Sequence, residues 1–329
     1  MNGVRPLLGA LFCVCVLSFT GCDTCDTPAA TEEEEPEVVR VRLYRESWAP
    51  GSPPPGYSWE DTRRMWWYVL DRDVLEEDIL PGAPSGPGEG FIPVLEMDVR
   101  DFQHPGPEEG NGWAGIQCLL SETGENLSRY EFVEIWLRQK QGEGGRIHID
   151  VGDVSEDFYR PWRTDSLHTE DKDRDGELSA VENTGYDGVP DGYVGDDPYD
   201  NYYYVPTDPD SVRYAHINGS EEDPLRVPHT EDMDKDGMLD TEEFHFRFSL
   251  DVSDTAYRVH SLGGWAIYRI PLSEAEPRGG CPQWSSVKYV RVFFTEVERS
   301  DKFQLAGFCF ADSSWAEWLE PYLNPPGDF

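Results

Sequence analysis

Basic residues are scarce in this chain. Its 329 residues include 27 Lys and Arg against 65 Asp and Glu, for a formal net charge of −38. No basic stripe occurs, so nucleic acid is excluded as a partner. The seven histidines are scattered, and no G-x-S-x-G, H-E-x-x-H or P-loop pattern is present, so the reading is of a protein that is not an enzyme. Acidic pairs are too frequent here for pairing alone to mark a catalytic dyad. No Cys/His set has zinc spacing. Long apolar runs are also missing: the longest, Leu7 to Leu17, is too short to span a bilayer. Long helical periodicity is nearly absent, Trp59 to Leu70 being the one stretch that suggests it. Aromatic residues, by contrast, are plentiful. With 11 Trp, 16 Tyr and 15 Phe, the chain has core material enough to fold.

The N-terminus reads as an export signal. Arg5 precedes the apolar run, and Ser18-Phe-Thr-Gly-Cys22 follows it. Gly21-Cys22 resembles the lipobox of bacterial lipoproteins, with Phe19 where Leu is usual. Residues 1–22 are thus expected to be a lipoprotein signal peptide, with Cys22 as the lipidated residue. Residues 23–37, including Glu32 to Glu35, have the low hydrophobicity and like charge of a disordered acidic tether. The expected setting is the bacterial cell envelope, at the outer membrane or cell surface rather than the inner membrane. The lipid anchor would be the sole membrane contact. Cys13 and Cys15 fall in the signal; Cys25, Cys118, Cys281 and Cys309 remain. An envelope protein permits disulfides, and three connectivities are open. A Cys118–Cys309 pair is one, since both lie in apolar strand-like runs.

Residues 171–182 read D-K-D-R-D-G-E-L-S-A-V-E, and residues 232–243 read D-M-D-K-D-G-M-L-D-T-E-E. Both match the twelve-residue EF-hand loop. Asp171, Asp173 and Asp175 offer hard oxygens at positions 1, 3 and 5. Gly176 makes the turn, Glu177 offers its carbonyl, Ser179 stands where a water often bridges, and Glu182 closes the site. The second loop repeats this with Asp232, Asp234, Asp236, Gly237, Met238, Asp240 and Glu243. A His-Thr-Glu lead-in precedes each loop, His168 to Glu170 and His229 to Glu231. These histidines are read as braces rather than catalysts. The expected cofactor is Ca²⁺, about two ions. The flanks differ from a paired EF-hand domain. Pro161 and Pro228 stand where entering helices should be. Phe244, Phe246, Phe248 and Leu250 then alternate with polar residues, so a strand leaves the second loop. Structural calcium loops on a β scaffold are predicted, not a calmodulin-type switch.

Elsewhere strands dominate. Val39, Val41 and Leu43 alternate with Arg40 and Arg42. Phe132 to Leu137 is a continuous apolar run, Ile147, Ile149 and Val151 alternate with polar residues, and Val290 to Phe294 and Phe303 to Ala311 complete the set. Gly/Pro-rich turns separate them. The predicted fold is mainly β: a jelly-roll, galactose-binding-like β-sandwich over 38–329, interrupted by a long acidic calcium-binding insertion over 156–243. Residues 165–243 carry 24 acidic and five basic residues, a segment that cannot build a core of its own. Tyr202-Tyr203-Tyr204 is expected to pack that insertion.

Several motifs in order resemble a known family. They are Trp66-Trp-Tyr-Val-Leu-Asp71, Ile92-Pro-Val-Leu-Glu-Met-Asp98, Tyr130 to Leu137, Gly145 to Asp157, Thr169 to Asp175, Glu182 to Gly188, Asp197 to Asn201, Ile217 to Glu221, Tyr268 to Leu272, Val287 to Thr295 and Trp315. Over roughly 60–318 the chain resembles the extracytoplasmic domain of SprA, the gliding-motility and type IX secretion translocon protein. The resemblance implies domain architecture and an envelope setting. The chain is far too short for that protein's barrel. The resulting expectation is a non-enzymatic calcium-binding lipoprotein that docks on envelope proteins, such as an outer-membrane barrel, in a secretion or motility machine. The alternative is a carbohydrate-binding surface lipoprotein whose glycan is met by exposed aromatics such as Trp162, Trp265 or Trp284. The discriminating feature is a row of co-planar exposed aromatics on one sheet face.

Overall fold

The computed structural model describes residues 36–325 apart from 59–60, 63, 84–89, 101–111, 159–165, 186–187, 191, 196–220, 222–227 and 298–300. The signal, Cys22, Cys25, most of the tether, Trp162 and Tyr202 to Tyr204 lie outside the described residues.

Two antiparallel sheets face each other. Their strands are β1 Val39–Arg40, β2 Ala49–Pro50, β3 Arg64–Leu70, β4 Val94–Arg100, β5 Trp113–Leu119, β6 Phe132–Gln141, β7 Arg146–Asp153, β8 Phe244–Asp251, β9 Arg258–Leu262, β10 Trp265–Pro271, β11 Glu276–Arg278, β12 Tyr289–Thr295 and β13 Lys302–Ala311. The first sheet runs β3-β4-β13-β6-β10-β9, with β1 also on β13; the second runs β11-β8-β7-β12-β5-β2. β7 and β8 are neighbours through the full pairing Arg146↔Asp251 to Asp153↔Phe244, so the strands on either side of the acidic insertion lie side by side. The insertion therefore begins and ends at the same end of two neighbouring interior strands.

Alternation decides the layers. From the first sheet Met65, Trp67, Leu95, Met97, Val133, Ile135, Leu137, Tyr268, Leu305 and Phe308 point inward. From the second Ile116, Cys118, Ile147, Ile149, Val151, Phe248, Val290, Val292 and Phe294 meet them. β6 is buried on both faces because a second apolar layer covers the outside of the first sheet. There Phe132, Trp136, Trp265 and Ile267 pack against Trp315, Leu319 and Leu323 of α1, Ser313–Leu323. The Asp312 carboxylate caps this helix by accepting from Ser314 N.

Two sequence readings are corrected. Within the stretch Trp59 to Leu70, whose spacing suggests a helix, Arg64–Leu70 is an edge strand paired with β4. The helix lies instead at 313–323. The Cys118–Cys309 pair does not form. Cys118 faces the core between the sheets, whereas Cys309 points out of the first sheet toward α1, so a sheet separates the two thiols.

The outer face of the second sheet is polar and buried. Arg291 donates to Asp150 from Nε and Nη2, and Arg247 donates to the same carboxylate from Nε and Nη2. Asp150 and Arg291 are both fully inaccessible. Burial alone would raise the Asp150 carboxyl, but Arg291, Arg247 and His245 outweigh it and hold it down at about 2. Ser52 covers Arg291 from the N-terminal side, and Glu243 at the end of the second acidic loop reaches the same face.

Candidate functional site

Each acidic loop is folded by its own carboxylates. In the first, Asp171 accepts from Asp175 N and Gly176 N at 3.0 Å, and Asp175 accepts from Glu177 N at 2.8 Å. In the second, Asp232 accepts from Gly237 N at 3.1 Å, and Asp236 accepts from Met238 N at 2.8 Å. Position 4 is left-handed in both, Arg174 at φ 62° and Lys235 at φ 63°, followed two residues on by Gly176 and Gly237 at φ 79° and 85°. The side chains of Glu177 and Met238 point to solvent, which leaves their backbones to face the loop.

The repeated lead-ins pair with each other. Thr169 and Thr230 form an antiparallel bridge. The Glu170 carboxylate accepts from His229 N and Nδ1, and the Glu231 carboxylate accepts from His168 N and Nδ1, all at 2.9–3.1 Å. Both carboxylates are fully buried. Each loop thus holds the other's lead-in through a pseudo-twofold exchange, and the two histidines brace the loops.

The loops differ in what closes them. In the first, Glu182 accepts from Lys172 N, Asp173 N and Ser179 N, and its own N–H donates to Ser179 O. Two residues later Thr184 N donates to Glu170. In the second loop these roles fall not to Glu243 but to Glu156, which leaves the end of β7. Glu156 accepts from Met233 N, Asp234 N and Asp240 N, its N–H donates to Asp240 O, and two residues later Phe158 N donates to Glu231. Met233, Asp234, Asp240 and Glu231 each sit 61 positions from their counterparts Lys172, Asp173, Ser179 and Glu170. Glu243 instead accepts from Arg291 Nη1 and Nη2 at 2.8 Å each, beside His245.

Oxygens of Asp171, Asp173 and Glu182 converge within 4.8 Å; so do those of Asp232, Asp234 and Asp236, and those of Glu156, Asp234 and Asp240. Carboxylates this close resist ionising together. Burial pushes the Glu156 carboxyl up to about 7, with Asp234 adding to it, and desolvation with Asp175 and Glu182 raises Asp173. Glu182 moves the other way, lowered first by the Ser179 hydroxyl. A donor set of oxygens alone fits a hard divalent cation and gives little to zinc or copper. No local pattern marks Glu156, Tyr289 or Lys288 for this site. Tyr289 donates its hydroxyl to Glu156 at 2.8 Å, and Lys288 reaches Asp234 and Asp240.

Of the aromatics named for sugar contact, Trp162 lies outside the described residues. Trp265 is buried under the Arg138 guanidinium, and Trp284 is half-buried and stacked on Phe246 at 3.9 Å. A recess of about 420 Å³ opens beside the second loop, lined among others by Arg42, Arg45, Trp48, Trp67, His229 and Lys235.

No protein-family model matches the chain, and no curated protein matches it. Among solved structures it is similar to the family 11 carbohydrate-binding module of Clostridium thermocellum in complex with a β-1,3-1,4-mixed-linked tetrasaccharide. Identity there is 9%, with 84% of this chain and 95% of that chain covered and a TM-score of 0.37. It is also similar to CBM28, a carbohydrate-binding module specific for non-crystalline cellulose (6% identity, 84% and 97% covered, TM-score 0.33), and to the family 30 module of a Clostridium thermocellum cellulosomal cellulase (9%, 80% and 97%, TM-score 0.30). None of these likenesses bears on the residues of the two loops.

Proposed function

We propose that the chain is a non-catalytic binding module of the cell envelope whose acidic insertion is folded around two calcium ions. One observation carries the calcium reading: in each loop a ladder of aspartates converges with a glutamate that gathers three backbone N–H groups of that loop. The variable, many-oxygen coordination that calcium accepts suits such loops better than magnesium's strict octahedron. Bound calcium would offset self-repulsion in a segment with few apolar residues. The role is structural. An ion at a hundred times its dissociation constant adds about 2.7 kcal/mol to stability. Thermal melting of residues 38–329 in calcium, in magnesium and in chelator tests this. Calcium should raise the midpoint most, and Asp171→Ala with Asp232→Ala should abolish the rise. An equal melt in calcium and chelator for the wild type would end the calcium reading.

For the ligand of the module, carbohydrate is the reading that a specific feature favours. The recess beside the second loop sets Arg42, Arg45 and His229 over the edges of the largely buried Trp48 and Trp67, and hydrogen-bond donors beside apolar surface suit a sugar ring. Docking on a translocon or outer-membrane barrel rests on the sequence resemblance alone, as lipid anchoring rests on Cys22. Calorimetric titration with β-glucans and with acidic polysaccharides, on wild type and on Arg45→Ala, separates the two. Saccharide binding lost in the variant supports the recess; no saccharide binding, with capture of an envelope protein from cross-linked membranes, supports docking.

A further inference from the structure

The two loops have the same sequence pattern and nearly the same internal hydrogen bonds, yet their surroundings differ in charge. The second loop lies against the first residues of β12, and Lys288 extends from there into its carboxylates. The ammonium is 2.6 Å from Asp234 Oδ2 and 3.4 Å from Asp240 Oδ2. Asp234 is almost fully buried, at 7% exposure, and belongs to both acidic groups of this loop. At the first loop, among the described residues, no basic side chain forms an ion pair with Asp171, Asp173, Asp175 or Glu182. The closing carboxylate differs too. Glu182 belongs to its own loop, whereas Glu156 is fully buried and tied to the sandwich by the Tyr289 hydroxyl.

We infer that the second site is a composite of insertion and sandwich, closed by Glu156 in place of Glu243, and that Lys288 is its built-in competitor for calcium. The inference rests on the calcium reading above and adds an order to it. A cation entering the second loop must displace the ammonium from Asp234 and Asp240 or bind beside a like charge. Either way it binds more weakly than at the first loop: the Lys288 charge cancels that of Asp240, which stands where the first loop has Ser179, and a part-buried ion pair must be broken as well. The first site fills first. The second fills at higher calcium, with Lys288 holding its carboxylates together in the meantime, so that the insertion keeps its seat on the sheet when calcium is low.

Calcium titration by isothermal calorimetry on the full chain tests this, with wild type, Lys288→Met, Lys288→Gln, Glu156→Gln, Glu243→Gln and Glu182→Gln compared. The wild type should show two unequal steps. Both Lys288 variants should tighten the weaker step by roughly tenfold or more, the scale on which a neighbouring like charge acts, and leave the tighter step unchanged. Glu156→Gln should remove the weaker step, and Glu182→Gln the tighter. Circular dichroism confirms folding, and Lys288→Gln, which keeps a hydrogen-bond donor, stands in if the methionine variant does not fold. Two steps that neither Lys288 variant alters, or a weaker step removed by Glu243→Gln and not by Glu156→Gln, would overturn the inference while leaving calcium binding intact. A wild type that binds no calcium would overturn both.

Discussion

Arg291 grips Glu243 with two parallel hydrogen bonds, Nη1 to Oε1 and Nη2 to Oε2, each 2.8 Å. The same guanidinium holds Asp150, so one buried arginine neutralises two carboxylates on the outer face of the second sheet. Arg291→Met leaves both without their main partner. The expected loss is about 3–5 kcal/mol, read as a lower midpoint in chemical denaturation. Because Glu243 serves Arg291, Glu243→Gln should weaken the fold without removing a calcium step.

The exchange between lead-ins should behave as one unit. Glu231→Ala strips the acceptor from His168 N and Phe158 N, and Glu170→Ala strips it from His229 N and Thr184 N. Each should cost about 1–3 kcal/mol through buried donors left unsatisfied. The double variant should cost less than the sum, since either change already breaks the bridge between the loops. A double-variant cycle on thermal midpoints in saturating calcium measures this.

Acid should destabilise the sandwich through His148. Its ring lies between Ser249 and Thr295 and stacks on Phe293. Burial, helped by Arg247, depresses it from 6.5 to about 4. A depressed folded-state value means that this stability is complete above the unfolded value and is lost as pH falls from about 6.5 toward 4. His148→Gln should flatten that part of the pH–stability curve. Melts between pH 7.5 and 4 in chelator, which keeps calcium out of the comparison, decide it.

Thiol accessibility checks the placement of the cysteines. Cys281 is exposed and should react with a maleimide in the native state. Cys118 is buried among apolar side chains that push its thiol up, and it should react only after denaturation. Intact mass under non-reducing conditions should show no Cys118–Cys309 bridge.

The strands were legible because alternation is local. Ile147 to Val151 and Phe244 to Leu250 announce their faces in consecutive residues. The helix at 313–323 was hidden by its brevity and by Pro321 inside it. The pairing of Glu243 with Arg291 has a clearer cause. β8 begins at Phe244, and from there even-numbered residues turn inward while His245 and Arg247 turn outward. Glu243 shares the outward phase and is carried to Arg291. The period that identified the strand therefore already placed Glu243 outside the loop. That Glu156 gathers the second loop's N–H groups could not be read locally, because the match is between residues 84 positions apart.

That distance also sets the order of assembly. The first loop can close as soon as its twelve residues exist. The second must wait until the strands on both sides of the insertion have been made and paired, since Glu156 meets Asp240 only then. Closing so long a span has an entropic cost that grows slowly with length, and a cross-link that secures it recovers most where the span is longest. The second ion would act as a removable staple across the whole insertion, while the first fastens only a turn. With Lys288 still bridging Asp234 and Asp240, chelation should leave the long span seated in the wild type, and Lys288→Met should release far more chain to proteases in chelator than the wild type does.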